Sequence, residues 1–369
     1  MGIVRYAERR ERLRVTATER GLDAVLVTDL LNVRYLTGFT GSNGVLLLRA
    51  DGADVFGTDG RYTTQAGTQV PDIELLVDRG TVSALAREAV RRGAGTIGFE
   101  SHHVTVDGLR ALESVLADAA AGGTVPELTS VRRAVEALRA VKDDDEVDAL
   151  RRACAVADSA LAELAAEGAL RPGRTELQVG RELDARMLAL GAEAPSFETI
   201  VATGANSAIP HHRPDTTVLR SGDFLKLDFG ATVDGYHSDM TRTLVLGHAA
   251  DWQREVYELV AAAQAAGRAA LAVGADVVAV DAASRSVIAA AGHGEHFTHG
   301  LGHGVGLEIH EAPGISALGA GTLSAGMAVT VEPGVYLPGH GGVRIEDTLV
   351  VTADAPELLT LTSKELLVL

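Results

Sequence analysis

Three histidines and two glutamates crowd into thirteen residues, HGLGHGVGLEIHE at 299–311, with glycine at alternate positions early in the run. His299 and His303 stand four apart, a spacing that would set two zinc ligands on one helical face. Gly300, Gly302, Gly304 and Gly306 argue against that helix, since each costs about 1 kcal/mol relative to alanine. Nor do these glycines satisfy G-x-G-x-x-G, which removes a dinucleotide fingerprint. An imidazole presented here needs partners from elsewhere in the chain.

The partners are carboxylates. In LKLDFGATVDGYHSDMTRTLVL (225–246), Asp234-Gly235 between two strand-like runs is the signal of a two-residue type I′ hairpin. That loop pairs Val233 with Tyr236 and sets Gly230 opposite Asp239. Asp228, two residues earlier on the same face, is then a diagonal neighbour of Asp239, roughly 7–8 Å away at the backbone. Leu225, Leu227 and Phe229 alternate onto the opposite, core-facing side. Paired aspartates on an exposed hairpin are common, but the pattern recurs in MAVTVEPGVYLPGHGGVRIEDTLVV (327–351). There Glu332 precedes Pro333-Gly334 and Glu346 follows Ile345, both inside apolar strand runs. Burying such glutamates is costly without a partner, and a cation would supply it. Four carboxylates with one imidazole make an oxygen-dominated set, suited to manganese or cobalt, or to a carboxylate-bridged zinc pair. The set exceeds the needs of one ion and predicts two, about 3.5–4 Å apart, sharing bridging carboxylates and a water. The glycines would then allow close backbone approach while His303 turns inward.

Those residues need a rigid frame. Residues 5–20 read as an amphipathic helix, followed by strand patterns in LDAVLVTD, GVLLLRA, DVFGTD and TIGFE and helices in VSALAREAVRRG and VDGLRALESVLADAA. This alternation predicts a sheet with helices packed on it. The acidic run 143–146 caps a long helix bearing Val147, Leu150, Cys154, Ala157, Leu161 and Leu164 at helical spacing. A second helix follows in TELQVGRELDARMLALG, then a strand in FETIVATG; beyond 221 strands dominate, broken by helical stretches at 251–272 and 277–291.

Composition narrows the classes. The 369 residues, 46% of them hydrophobic, suffice for about two domains of ~150 residues. A net charge of −17 without a basic stripe argues against nucleic acid. Cys154 is the only cysteine, so neither a disulfide framework nor a thiolate metal cage is available. No run approaches the ~20 apolar residues of a membrane span, and the first residues lack an apolar signal core. The expectation is a cytoplasmic protein that binds neither membrane nor nucleic acid.

With these residues in hand, the chain resembles the pita-bread metallopeptidases: Xaa-Pro aminopeptidases (aminopeptidase P), Xaa-Pro dipeptidases (prolidases), methionine aminopeptidases and creatinase. The resemblance covers nearly the whole chain. It rests on LDFGA, GYHSDMTRT, HGLGHGVGL, TVEPG and RIED, where the family's metal ligands correspond to Asp228, Asp239, His303, Glu332 and Glu346. GLDAVLVTDLLNVRYLTGFTGSNG and FGTDGRY resemble the amino-terminal domain of prolidases, aminopeptidases P and creatinases, which methionine aminopeptidases lack. Creatinase lacks the metal ligands that this chain keeps.

The resemblance implies an α/β two-domain fold. A creatinase/prolidase-like α/β domain (1–135) precedes a pita-bread (α+β) metallopeptidase domain (136–369). It implies two divalent ions, Mn2+ first, with Co2+ or Zn2+ as alternatives. Small peptides with proline second are the substrates, and a homodimer is expected. His211 is assigned to substrate binding around the scissile bond, with neighbouring His212 as the alternative, and His310 to the scissile carbonyl. His299 is expected as a secondary contact. Arg344 is expected to orient a carboxylate or the substrate. Glu332 combines ligation with proton transfer. The expected activity is Xaa-Pro aminopeptidase overlapping on dipeptides, with a strict prolidase as the alternative. A non-catalytic scaffold and a metal-independent, creatinase-like amidinohydrolase are the remaining readings.

Overall fold

The computed structural model describes residues 2–369, with side chains from Arg5 onward. Two compact units divide it, the first ending at Arg139 and the second running Ala140–Leu369. The first unit is built on strands β1 (Ala24–Val27), β2 (Gly44–Arg49), β3 (Val55–Thr58), β4 (Glu74–Val77), β5 (Thr96–Phe99) and β6 (Glu127–Ser130). They form one mixed sheet in the order β4-β3-β2-β1-β5-β6, parallel at both edges and antiparallel through β1, β2 and β3. Leu26, Leu47, Val55 and Ile97 from this sheet pack with Leu85 and Ala89 of the helix Thr81–Arg91.

Helix Ala134–Arg139 closes the unit four residues beyond the sequence expectation of 135. The buried Arg139 guanidinium donates to Asn32 Oδ1 at 2.9 Å, tying the segment back to the helix Leu30–Thr37. That earlier helix was not foreseen. Asp29 caps it by accepting from Leu31 N–H, and Gly38 ends it in the left-handed region (φ 78°).

The second unit begins with the long helix Asp144–Ala166. Asp143 and Glu146 form a reciprocal capping box, worth about 1 kcal/mol, where the acidic run predicts the start. Thr175 and Gln178 repeat the device at the helix Glu176–Ala189. Thirteen strands complete the chain: β7 (Ala194–Pro195), β8 (Ile200–Thr203), β9 (Phe224–Phe229), β10 (Ala231–Val233), β11 (Tyr236–His237), β12 (Met240–Val245), β13 (Gly302–Gly304), β14 (Glu311–Ile315), β15 (Ala328–Val331), β16 (Gly334–Leu337), β17 (Gly341–Arg344), β18 (Asp347–Val350) and β19 (Glu357–Leu358). They pair as β12-β9-β8, β11-β10-β7, β14-β13-β15-β18-β19 and β16-β17.

Two cores support these sheets from behind. Leu225, Leu227 and Phe229 pack with Ala157, Leu161 and Leu164 of the long helix, the alternation expected for β9. Val329, Val331 and Leu349 pack with Val256, Val260 and Val280 of the helices Asp251–Ala269 and Val277–Ala290. Both faces of β9 and β12 are buried. Their polar side chains therefore lie inside the protein and must find partners there. Among the described residues no helix is long and apolar enough to cross a membrane.

Candidate metal centre

The hairpin carries the first two carboxylates. Asp234 and Gly235 both take positive φ (49° and 74°), as a type I′ turn requires, and Val233 pairs with Tyr236. The register continues unchanged into β9 and β12, where Phe229 faces Met240 and Asp228 faces Thr241. Gly230 therefore lies level with Asp239, and the two aspartates stand as diagonal neighbours. Glu332 follows the end of β15, and Glu346 lies between β17 and β18. Glu346 N–H donates to the Thr241 carbonyl at 3.1 Å, and Thr348 Oγ1 donates to that of Asp239 at 2.8 Å. These bonds hold Glu346 against the strand that follows Asp239.

The glycine-rich run is a strand, not a helix. A Cβ on Gly302 would lie 2.0 Å from the Thr330 carbonyl oxygen, and one on Gly304 would lie 2.2 Å from that of Ala312. Only glycine allows β13 to enter between those chains with His303 pointing inward. His303 N–H donates to Thr330 Oγ1 at 3.1 Å, and its Nδ1 donates to the Gly304 carbonyl at 3.0 Å. Nε2 is thereby left as the free lone pair, 3.5 Å from Asp239 Oδ2 and 3.4 Å from Glu332 Oε1.

All five residues line one cavity of about 340 Å3, together with His211 and His310. Ligand atoms of Asp239, His303 and Glu346 lie within 4.8 Å of one another. Asp228 Oδ1 is buried without a hydrogen-bond partner, which suits a cation rather than a second proton donor. Burial, reinforced by Glu346 and the other carboxylates, pushes the Asp239 carboxyl well above its ordinary range. Glu332 is raised by burial and by Glu346, while burial and Asp228 push Glu346 up to about 8. Burial lowers His303 to about 4, so its ring is neutral and ready to ligate. The donor set fits a divalent centre dominated by oxygen ligands.

Proton release follows from these shifts. At pH 7 the metal-free site holds protons that ligation must expel. Adding Mn2+ to metal-free protein in weak buffer should acidify the solution, and Asp239→Ala should reduce the release. A wild-type titration with no proton release counts against carboxylate ligation.

The histidines and arginines divide between the cavity and its wall. No hydrogen bond from the described residues reaches the rings of His211 or His310; His310 stands edge-on to His303 with centroids 4.4 Å apart. His212 Nε2 instead donates to Glu176 Oε2 at 2.7 Å, so the structure leaves His211 as the freer of the pair. Burial and the charge of Arg344 keep the His211 pKa below its ordinary value.

His299, expected as a secondary contact, and Arg344, expected to orient a carboxylate or the substrate, are not among the residues that line the cavity. His299 bonds to the Gly300 carbonyl and, at 2.8 Å, to Tyr336 Oη. Arg344 is buried behind Asp228, donating to its Oδ2, to Tyr336 Oη at 2.8 Å and to Thr241 Oγ1 at 2.9 Å. Thr241 in turn donates to Glu346 Oε2 at 2.7 Å. Tyr336, Thr241 and Thr330 escaped the sequence reading. Thr241 alone carried a signal, since it shares a strand face with Asp239.

Four carboxylates and one imidazole converging on an open cavity fit a divalent-metal site of the class that metal-dependent hydrolases use. The chain belongs to metallopeptidase family M24, whose model matches residues 148–353, and residues 9–141 match the creatinase/prolidase N-terminal domain. An Xaa-Pro dipeptidase structure from Bacillus anthracis superposes with a TM-score of 0.93 and 39% identity, over 99% of this chain and 100% of that one. An X-Pro aminopeptidase from Thermotoga maritima gives 0.88 and 32%, over 98% and 99%. An uncharacterized peptidase of Bacillus subtilis is 40% identical over 97% of this chain and 99% of its own length. The fold is accordingly a creatinase-type N-terminal domain followed by a pita-bread catalytic domain.

Proposed function

We propose that this chain hydrolyses the peptide bond between an N-terminal residue and proline, with Xaa-Pro dipeptides as preferred substrates. One observation carries the reading: Asp228, Asp239, His303, Glu332 and Glu346 converge on a single cavity beside His211 and His310. The reading includes two divalent ions, manganese first, held by those five residues. A homodimer and a cytoplasmic setting belong to it as well, on family resemblance and composition. When bound, the ions supply Lewis acidity that activates water and polarises the scissile carbonyl.

The side chains do the rest. Glu332, at the cavity wall, carries a proton from the attacking water to the proline nitrogen as the C–N bond breaks. His310 donates to the carbonyl oxygen as negative charge builds there. His211 holds the peptide at the scissile bond. Arg344 keeps Asp228 oriented from behind. A dedicated site has a purpose, because proline offers no N–H and its fixed φ defeats ordinary extended-strand binding.

Dipeptidase action has at least as much support as the aminopeptidase expectation. The Bacillus anthracis relative is named an Xaa-Pro dipeptidase, and a 33% identical relative from Pyrococcus furiosus bears the same name. A dipeptide also needs a cation for its carboxylate. Arg344 is committed to Asp228, whereas Arg213 lines the cavity with an exposed guanidinium beside Glu198. The aminopeptidase is the second reading, favoured by the Thermotoga maritima relative.

Purified protein assayed with one Xaa-Pro dipeptide and one longer Xaa-Pro peptide, across Mn2+, Co2+ and Zn2+, separates the two. The dipeptide should give the higher kcat/KM and chelation should remove activity. Preference for the longer peptide would install the aminopeptidase, and turnover persisting in chelator would support creatinase-like chemistry. A metal-free, inactive protein would point to a scaffold.

A further inference from the structure

His211 has no hydrogen bond of its own from the described residues, yet the residues on either side of it are gripped by buried charge. The segment follows β8 through the 3-10 turn Gly204–Ala208 and passes over β9. From beneath, the fully buried Lys226 ammonium donates to the carbonyls of Ser207 (3.1 Å), Ile209 (2.7 Å) and Pro210 (3.3 Å). The Pro210 carbonyl also accepts from Arg344 Nη1 at 3.2 Å. The fully buried Glu176 carboxylate accepts four donors from the same stretch of chain. Oε1 takes Thr203 N–H (2.7 Å) and Asn206 Nδ2 (3.0 Å). Oε2 takes His212 Nε2 (2.7 Å) and Asp215 N–H (3.2 Å).

Neither charge has the partner that simple packing would give it. Lys226 bonds no carboxylate among the described residues, and the donors to Glu176 are amides and one imidazole. Lys226 also lies 5.2 Å from the Tyr336 ring centroid, but a buried charge held mainly by loop dipoles still costs more than an apolar side chain of equal size. What it delivers is geometry: charge-assisted bonds are about twice as strong as neutral ones, and their directions fix the carbonyls and amides they bind. The anchors fall at Pro210 and His212, immediately before and after His211. Two opposite charges thus anchor the backbone immediately before and after His211, which restricts the imidazole between the anchors.

We propose that Lys226 and Glu176 are positioning residues that together hold His211 against the scissile bond. This inference rests on the reading of His211 as a substrate contact. An error of about 1 Å at such a group costs on the order of 100-fold in rate.

A double-mutant cycle tests the clamp with the full chain, metal-saturated and normalised to bound metal. Glu176→Gln and Lys226→Met are each measured in wild-type and His211→Ala backgrounds, using an Xaa-Pro dipeptide. Each should lower kcat/KM about 10–100-fold in the wild type. In the His211→Ala background each should cost less than about threefold, because the group being positioned is gone. An equal loss in both backgrounds, or no loss in the wild type, removes that residue from the proposal. Should Glu176→Gln fail to fold, His212→Ala, which breaks only the bond beside His211, enters the cycle under the same criteria. Wild-type activity in His211→Ala alone would overturn the assigned role of His211 and leave the metal centre standing.

Discussion

Asp239→Ala should lower kcat/KM on an Xaa-Pro peptide at least about 100-fold, more than loss of an outer-shell partner of a metal ligand usually costs. It should do so without unfolding the chain. Asp239 is buried among Asp228, Glu332 and Glu346, whose charges raise its pKa after burial itself. In the metal-free protein such carboxylates are a liability. Glu346 shows the sign: its folded pKa of about 8 exceeds its ordinary 4.5, so the folded state binds more protons between those values. Its contribution to stability is therefore present at low pH and lost as pH rises through that window. Removing one acid relieves its neighbours, so in chelator Asp239→Ala should melt at or above the wild-type temperature at pH 8.

The order reverses with metal. Saturation at 100 times Kd stabilises a binding fold by about 2.7 kcal/mol per site, and the variant forfeits that gain. Melting curves with and without Mn2+ thus accompany the rate measurement. Turnover at a tenth of wild type or better, or an undiminished Mn2+-induced rise in Tm, defeats the ligand assignment. Glu346→Ala follows the same logic, except that it also frees Thr241 Oγ1, which Glu346 Oε2 otherwise accepts from.

Local chemistry explains what the sequence disclosed. A two-residue loop fixes its hairpin's register, so Asp234-Gly235 was enough to place Asp228 and Asp239 as neighbours. The acidic run at 143 marked a helix start because a capping box is contiguous in the chain. The convergence of β13, Glu332 and Glu346 on that hairpin involves long-range packing, and there the family resemblance supplied what spacing did not. Arg344 was expected to orient a carboxylate or the substrate; its buried guanidinium donates to Asp228. His299 and Tyr336 bond each other across 37 residues, a pairing that no local pattern announces. Lys226 was the legible signal left unread. A lone lysine within FLKLDF, on the face of Asp228, has to be buried with a partner or break the strand.

The second large effect lies behind the cavity, in the support of Glu346. Arg242→Met should cost about 3–5 kcal/mol, the range for breaking a buried ion pair by removing one member. Asp347 Oδ1 accepts from Arg242 Nη2 at 2.8 Å and Thr360 Oγ1 at 3.0 Å, while Oδ2 accepts from Gln264 Nε2 at 2.8 Å and pairs with Lys364 Nζ at 3.1 Å. The same guanidinium donates to the carbonyls of Thr241, Glu346, Thr362 and Ser363, stitching the 362–363 segment to β12 and to Glu346 in the link between β17 and β18. Urea unfolding followed at Trp252, the only tryptophan, reads this unit directly. Replacing both members, Arg242→Met with Asp347→Leu, should recover most of the loss, since an apolar pair leaves no buried charge uncompensated. The pH dependence gives an independent arm. Burial pushes the Asp347 carboxyl up, but Arg242 and Lys364 outweigh it and hold it below its ordinary 3.8. A depressed folded pKa stabilises above the unfolded value and is lost as pH falls through the folded one. The deficit of Arg242→Met should therefore be full at pH 7 and shrink on acidification below pH 4. A loss under about 1 kcal/mol at pH 7, or one that grows with acid, would mean that the remaining cations and the Gln264 amide already suffice to hold Asp347, and that Glu346 does not depend on the Arg242 pair for support.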